Sequence, residues 1–301
     1  MTESTPVVLL VLALLLAGPV PALLARSSWP VRVPRAALVL WQAVALAAVL
    51  SALGAGASAG SLVVGHPSPP WWLLVAHGAS LLLTVVVAAR LLWSAHTLGT
   101  ALRARRRRQR HVVDLVGRSD GRAPGAVVVD VAPPLAYCIP GVRSRLVVSA
   151  PALDSLAPAE VDAVLAHERA HARARHDLVL EGFGVLHNAF PRVVRSSVAL
   201  ESASGLVEML ADDAARRRSG AVPLARALAR LAHAPVPAGA LGSGAVTPAV
   251  RIRRLAPSSS GVPAWLVATA AYAVAVALVV VPTVAVAAPW LTALSRAAGL
   301  S

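Results

Sequence analysis

Four stretches of the chain, residues 6–25, 36–62, 71–93 and 262–288, are apolar at nearly every position and almost free of charge. A helix of about 20 residues crosses a hydrocarbon core, so each stretch is predicted as a transmembrane helix. Pro19, Gly54 and Pro282 fall inside them, and membrane helices accept such residues more readily than soluble ones do. Two polar side chains interrupt the third stretch. Arg90 lies within a turn of its end and can snorkel to the interface, and His77 near the other end reads as an interfacial histidine. The first stretch has the length of a secretory leader but begins Met-Thr-Glu-Ser-Thr and lacks a basic n-region, which favours a retained span.

Between the third and fourth stretches the pattern turns polar. "LRARRRRQRH" (102–111) reads as a helical continuation of the third span or as a solvated basic linker. From Ala126 the short β-branched runs "AVVVDV" and "SRLVVSA" predict two strands, separated by the turn-rich "APPLAYCIPGVR" with its Pro140-Gly141 turn signal. A helix is expected over 158–175, with Pro158 in its first turn and Glu160 at the positive end of its dipole. A second, over 178–198, contains Pro191, Arg192 and Arg195 and is not expected to span. A third, over 200–218, stops at Gly220 with three arginines in its last turn. Residues 235–262, rich in Pro, Gly, Ser and Ala, read as a loop or linker, and no internal repeat is visible.

Composition sharpens the membrane reading: 57% of the 301 residues are hydrophobic and the mean hydropathy is +0.69, too apolar for an ordinary soluble domain. A net charge of +14 with a pI near 11.7 would suit nucleic acid, but no recognition motif accompanies it and no nucleic-acid partner is expected. All 28 basic residues are arginine, and many flank the spans: Arg26, Arg32 and Arg35; 103–110; Arg251, Arg253 and Arg254. This is the positive-inside pattern, with lipid headgroups as partners. It places the N-terminus outside, residues 95–261 in the cytoplasm and the C-terminal tail outside. One cysteine, Cys138, excludes an intrachain disulfide. It reads as a lone buried thiol rather than a ligand or switch.

His167-Glu168-Arg169-Ala170-His171 is an H-E-x-x-H motif in mid-helix. Two histidines four apart share a helix face and can reach one ion, with Glu168 standing beside it. Such an ion brings the pKa of bound water toward ~7, and the adjacent carboxylate can take the proton and deliver it to the leaving amine. A catalytic zinc site needs a third protein ligand and one open position. Glu208 is the best candidate, because Asp212 follows four residues on, where it can hydrogen-bond a ligand imidazole. Glu201 is the rival ligand; His176, Asp177 and Asp213 are rivals for the supporting role.

"SRLVVSAPALDSLAPAEVDAVLAHERAHARARHD" followed by "EMLAD" resembles the BlaR/MecR-type integral-membrane metallopeptidases, which are HExxH gluzincins, and more distantly the HtpX-type membrane proteases. The resemblance implies zinc held by His167, His171 and Glu208, Glu168 as catalytic base and acid, and a protease domain in the cytoplasm. The chain departs from the antibiotic sensors in lacking their C-terminal penicillin-binding domain, so a separate sensor or repressor protein is an expected partner. The expected fold is a mainly α membrane protein of about four transmembrane helices, with an α+β zincin-like metallopeptidase domain inserted between the third and fourth. By residue, these are the first three spans within 1–94, a basic linker over 95–125, the peptidase domain over 126–234, a linker over 235–261, the fourth span over 262–288 and a tail to 301. One zinc ion and a protein or peptide substrate at a cell membrane complete the expectation. "RLVVSA" is a candidate edge strand for pairing with an extended peptide. The rival reading is a non-catalytic membrane scaffold with a structural metal, which would need a fourth protein ligand from His176 or Asp213. A transporter is disfavoured, because no span carries paired charges.

Overall fold

The computed structural model describes residues 5–64, 68, 70–190, 197–232, 246–256 and 262–297. Among these, four helical stretches are long and apolar enough to cross a membrane: Thr5–Arg26, Pro34–Ser58, Trp71–Val116 and Ala264–Ala287. The first is broken into α1 (Thr5–Ala17) and α2 (Pro19–Arg26), as expected where Pro19 removes a backbone donor after Gly18. A 3-10 turn, Trp29–Val31, leads into α3 (Pro34–Val64). The third stretch is α4 (Trp71–Val116), one helix of 46 residues, roughly 70 Å long. Residues 95–116, expected as part of a linker, therefore continue the helix. The arginine run stays helical because arginine is a good helix former and because tertiary partners hold it. Arg106 reaches Asp177 at 3.5 Å and Glu181 at 3.3 Å, and Val113 is buried against the sheet.

The sheet has three strands, β1 (Ala126–Val129), β2 (Ala136–Ile139) and β3 (Arg145–Ser149), in the order β1-β3-β2. β3 pairs parallel with β1 and antiparallel with β2, so that Val147 lies between Val127 and Tyr137. This corrects two expectations. β3, the candidate edge strand, is central, and the turn-rich segment ahead of it contains β2. Four residues between Pro134 and Pro140 give little periodicity, so β2 is defined by its pairing rather than by its pattern. The outer edge of β1 is covered by Arg118, which exchanges backbone hydrogen bonds with Val128 at 2.8 and 2.9 Å. β2 forms the other edge, packed next to the long helix that follows the sheet.

After α5 (Ala150–Ser155), capped by the Ser149 hydroxyl, comes α6 (Pro158–Ala174). Its start is fixed by Pro158 and by the Glu160 carboxylate, which accepts the Ala157 N–H at 3.0 Å. Leu165, fully buried, packs under the sheet with Val148, Val128 and Leu153. α6 ends at Arg175, whose φ of 51° puts it in the left-handed region, a strained setting for a residue with a Cβ. That turn starts α7 (His176–Ala189). α8 (Val198–Ser219) follows and stops at Gly220, whose φ of 87° suits a glycine. α9 (Ala221–Leu231) packs Leu224 against Ala163, Ala166 and Ala215.

The expected linker over 235–261 is corrected in part. Residues 233–245 and 257–261 lie outside the described residues, but between them is α10 (Pro248–Leu255), started by Thr247-Pro248 and seated by buried Leu255. α11 (Ala264–Ala297) is the fourth long apolar helix. A cluster of Trp41, Phe183, Leu206, Val207 and Met209 joins α3 to α7 and α8. Arg254 ties α10 both to Val31 O at 2.7 Å and to Asp213. The segment after the first apolar stretch and the polar helices are thus one packed body.

Candidate metal centre

α6 and α8 cross so that three donors converge. His167 Nε2 and His171 Nε2 are 3.1 Å apart. Glu208 Oε2 lies 3.4 Å from the first and Glu208 Oε1 3.3 Å from the second. All three side chains are buried. Ligands at 2.0–2.1 Å in a tetrahedron around zinc are separated by about 3.3 Å, so the set fits that ion in both chemistry and spacing. Glu208 Oε1 has no hydrogen-bond partner despite its burial, a costly state for a carboxylate oxygen that a cation would relieve. Among the described residues the group has three His, Cys, Asp or Glu members, the number of protein ligands that a catalytic zinc site uses.

The second nitrogen of each imidazole is also engaged. His167 Nδ1 sits 3.1 Å from Asp212 Oδ1, and His171 Nδ1 sits 3.1 Å from His176 Nδ1. The Asp212 carboxylate favours a proton on His167 Nδ1, whereas between His171 and His176 either Nδ1 can be the donor. Asp212 and His176, named as rivals for the supporting role, each contact one of the two imidazoles. His176 lies on the far side of the His171 ring from the three donors and is no fourth ligand. Asp177 instead faces Arg106 and Arg175, Asp213 is held by Arg254 through two 2.8 Å hydrogen bonds, and Glu201 is exposed away from the site. Cys138 is buried, and desolvation, aided by Glu168 and Asp177, pushes its thiol up to about 12, so it stays protonated and is a poor ligand.

The residue that sequence reading missed is Arg251 on α10. It donates Nε to Asp212 Oδ2 at 2.8 Å and Nη2 to Asp212 Oδ1 at 2.6 Å. Its Nη1 lies 2.9 Å from Glu208 Oε2. One guanidinium thus holds both a donor of the metal group and the carboxylate that orients another.

Electrostatics separate the roles. Burial opposes charge on His167, but Asp212 and Glu208 outweigh it and lift the imidazole to about 9. Burial, with the neighbouring His167 charge, lowers His171 to about 3; burial likewise lowers His176 to about 4. Burial raises Asp212 and Glu208, yet the hydrogen bond from Arg251 to the first, and from His167 to both, leave both depressed and ionised. Glu168 goes the other way. Desolvation raises it to about 7, with Glu208 adding to the rise and His167, Arg251 and the Cys138 backbone N–H of β2 opposing it. A carboxyl that titrates near neutrality beside a donor cluster can both accept and return a proton.

Residues 102–233 match the model of peptidase family M48. The matched stretch begins in α4, ends just beyond α9 and contains His167, Glu168, His171, Glu208 and Asp212, which supports a gluzincin-type metallopeptidase. Arg251 lies outside it. No curated protein and no solved structure matches the chain.

Proposed function

We propose that the chain is a multi-pass membrane zinc endopeptidase of the type suggested by its BlaR/MecR-like motifs, cutting cytoplasmic or membrane-proximal proteins in regulated proteolysis. The observation that carries this reading is the buried three-donor group of His167, His171 and Glu208, with Glu168 close enough to feel the charges of His167 and Glu208. The arginine clusters beside the apolar stretches support a cytoplasmic side for the peptidase helices. The contact of Arg254 with Val31 supports this, because it keeps the loop after the first span and the peptidase helices on one face.

Bound by the three donors, zinc supplies Lewis acidity toward an attacking water and toward the scissile carbonyl. Glu168 takes a proton from that water as its oxygen bonds to the carbonyl carbon. It returns the proton to the amide nitrogen as the C–N bond breaks, and the second proton of the water then passes from the new carboxyl to the amine, leaving a carboxylate and an ammonium. Asp212 and His176 hold the two imidazoles, and Arg251 holds Glu208 and Asp212. β2, the edge strand whose Cys138 N–H reaches Glu168, is the strand with which an extended peptide would pair.

Glu168→Gln is expected to retain one zinc per chain by metal analysis while losing a factor of roughly 10²–10⁴ in cleavage of an added protein substrate. Proteolysis at the wild-type rate in that variant would sink the mechanism.

A further inference from the structure

A second concave site lies on the face of α6 turned away from Glu168. It is a cavity of about 970 Å³ between the start of α3, α6, the beginning of α7, the end of α8 and α11. Five guanidiniums line it: Arg35, Arg169, Arg173, Arg217 and Arg218. The one carboxylate in its lining, Asp213, is already committed to Arg254. Arg169 gives one N–H to Pro124 O at 2.6 Å, and no carboxylate among the described residues pairs with Arg35, Arg173, Arg217 or Arg218. Arg217 and Arg218 suit the negative end of the α8 dipole, but Arg35 opens α3, where that dipole disfavours a cation.

The other wall of the cavity is apolar and is built by the two apolar helices, with Leu38 and Val39 from α3 and Ala268 and Tyr272 from α11. Leu38, Val39 and Ala268 sit within the first two turns of their helices, close to headgroup depth in stretches read as spans. Tyr272 lies about 12 Å further into α11 from its start, so the wall runs from headgroup depth into the acyl-chain region. A basic upper wall over an apolar groove between two spans matches one ligand shape: an anionic headgroup with acyl chains running down the groove.

We infer that this cavity binds the phosphate of an anionic phospholipid such as phosphatidylglycerol. None of the three metal donors lines the cavity, but His176, which contacts His171, forms part of its wall. The cavity joins α3 and α11 to the helix that carries His167 and His171, and it depends on the bilayer placement of the spans.

The test is native mass spectrometry of the full chain in detergent, titrated with phosphatidylglycerol or with phosphatidylcholine of the same acyl chains. Phosphatidylglycerol is expected to bind at least about tenfold more tightly. Arg173→Gln/Arg217→Gln/Arg218→Gln is expected to weaken it on the order of a hundredfold, and Arg35→Gln alone, on a different helix, about fivefold. Arg107→Gln/Arg108→Gln, on the exposed side of α4, should leave binding unchanged. Zinc content and unfolding temperature check that each variant folds, and the single variant keeps the test decisive if the triple one does not. Equal binding of phosphatidylglycerol by wild type and Arg35→Gln overturns the site. Displacement of the lipid by glycerol 3-phosphate at equal concentration overturns the lipid as its ligand.

Discussion

The pair Arg251–Asp212 is the connection through which α10 holds the metal centre, and a double-mutant cycle can measure it. Arg251 makes two hydrogen bonds to Asp212, at 2.6 and 2.8 Å, from a side chain 11% exposed to one 2% exposed. Hydrogen bonds to charged groups contribute about 1.5–3 kcal/mol each, and removing one member of a buried pair costs about 3–5 kcal/mol because the other is left charged and unpaired. Arg251→Gln leaves Asp212 with only His167, and Asp212→Asn leaves Arg251 with only Glu208. Each single substitution is therefore expected to cost about 3 kcal/mol in the metal-free protein. The double variant, with no orphaned charge between the two positions, should cost little more than either single one, a coupling of about 2–3 kcal/mol. Urea unfolding of the detergent-solubilised, chelator-treated protein, followed by tryptophan fluorescence, gives the four free energies. Effects that simply add, with coupling below about 0.5 kcal/mol, would refute the claim that this contact seats α10.

Removing the metal with a chelator is expected to lower the unfolding temperature and re-addition of zinc to restore it. The expected difference is about 2.7 kcal/mol at a zinc concentration 100 times Kd, and calorimetry showing no shift would remove zinc from the folded state. His167 has its folded pKa raised to about 9, so at pH 7 it carries a proton that metal binding must displace. Zinc affinity should accordingly rise up to about tenfold per pH unit between pH 7 and 9, and a flat profile in competition titrations would contradict the assignment. Leu165→Ala, in the fully buried core under the sheet, should destabilise by about 2–5 kcal/mol in the same urea assay. A change below about 1 kcal/mol would mean that the site collapses rather than leaving a cavity.

The three-donor group was legible because helical geometry is local. His167, Glu168 and His171 reveal their shared surface by spacing alone, and Glu208 with Asp212 repeats the same four-residue interval on α8. The arginine that locks them together was not legible. In a chain with 28 arginines, Arg251, Arg253 and Arg254 read as anchors before a membrane span. α10 has only eight residues, too few for local propensity to decide its conformation. A signal did exist: adjacent Asp212 and Asp213 on a helix with buried neighbours require cations, and two arginines three apart just after a Thr-Pro helix start can supply them. β2 was missed for a related reason, since four residues between prolines become a strand only by pairing with β3.

The same contacts explain how an apolar bundle and a polar peptidase fold share one site. Starting from the metal group, Glu208 and Asp212 are gripped by Arg251. One turn on, Arg254 binds Asp213, Met209 O and Val31 O, and Arg32 donates to Val262 O ahead of α11. Each link is a charge-assisted hydrogen bond, stronger than a neutral one. The Arg251 and Arg254 links to Asp212, Glu208 and Asp213 reach α8, which holds a donor, and the Val31 and Val262 links join the segments flanking the apolar helices. α10 thus ties the segment after the first apolar stretch to α8 through Arg254 and Arg251, beside the direct packing of α3 on α8. A substitution at Arg254 is therefore expected to reach the metal affinity although the residue touches none of the three donors. Arg254→Gln should weaken zinc binding in competition titrations, by a factor of about 10 if it acts as an outer partner usually does. Unchanged affinity in a folded Arg254→Gln protein would mean that Arg251 seats α10 alone and that the spans are not coupled to the site through this helix.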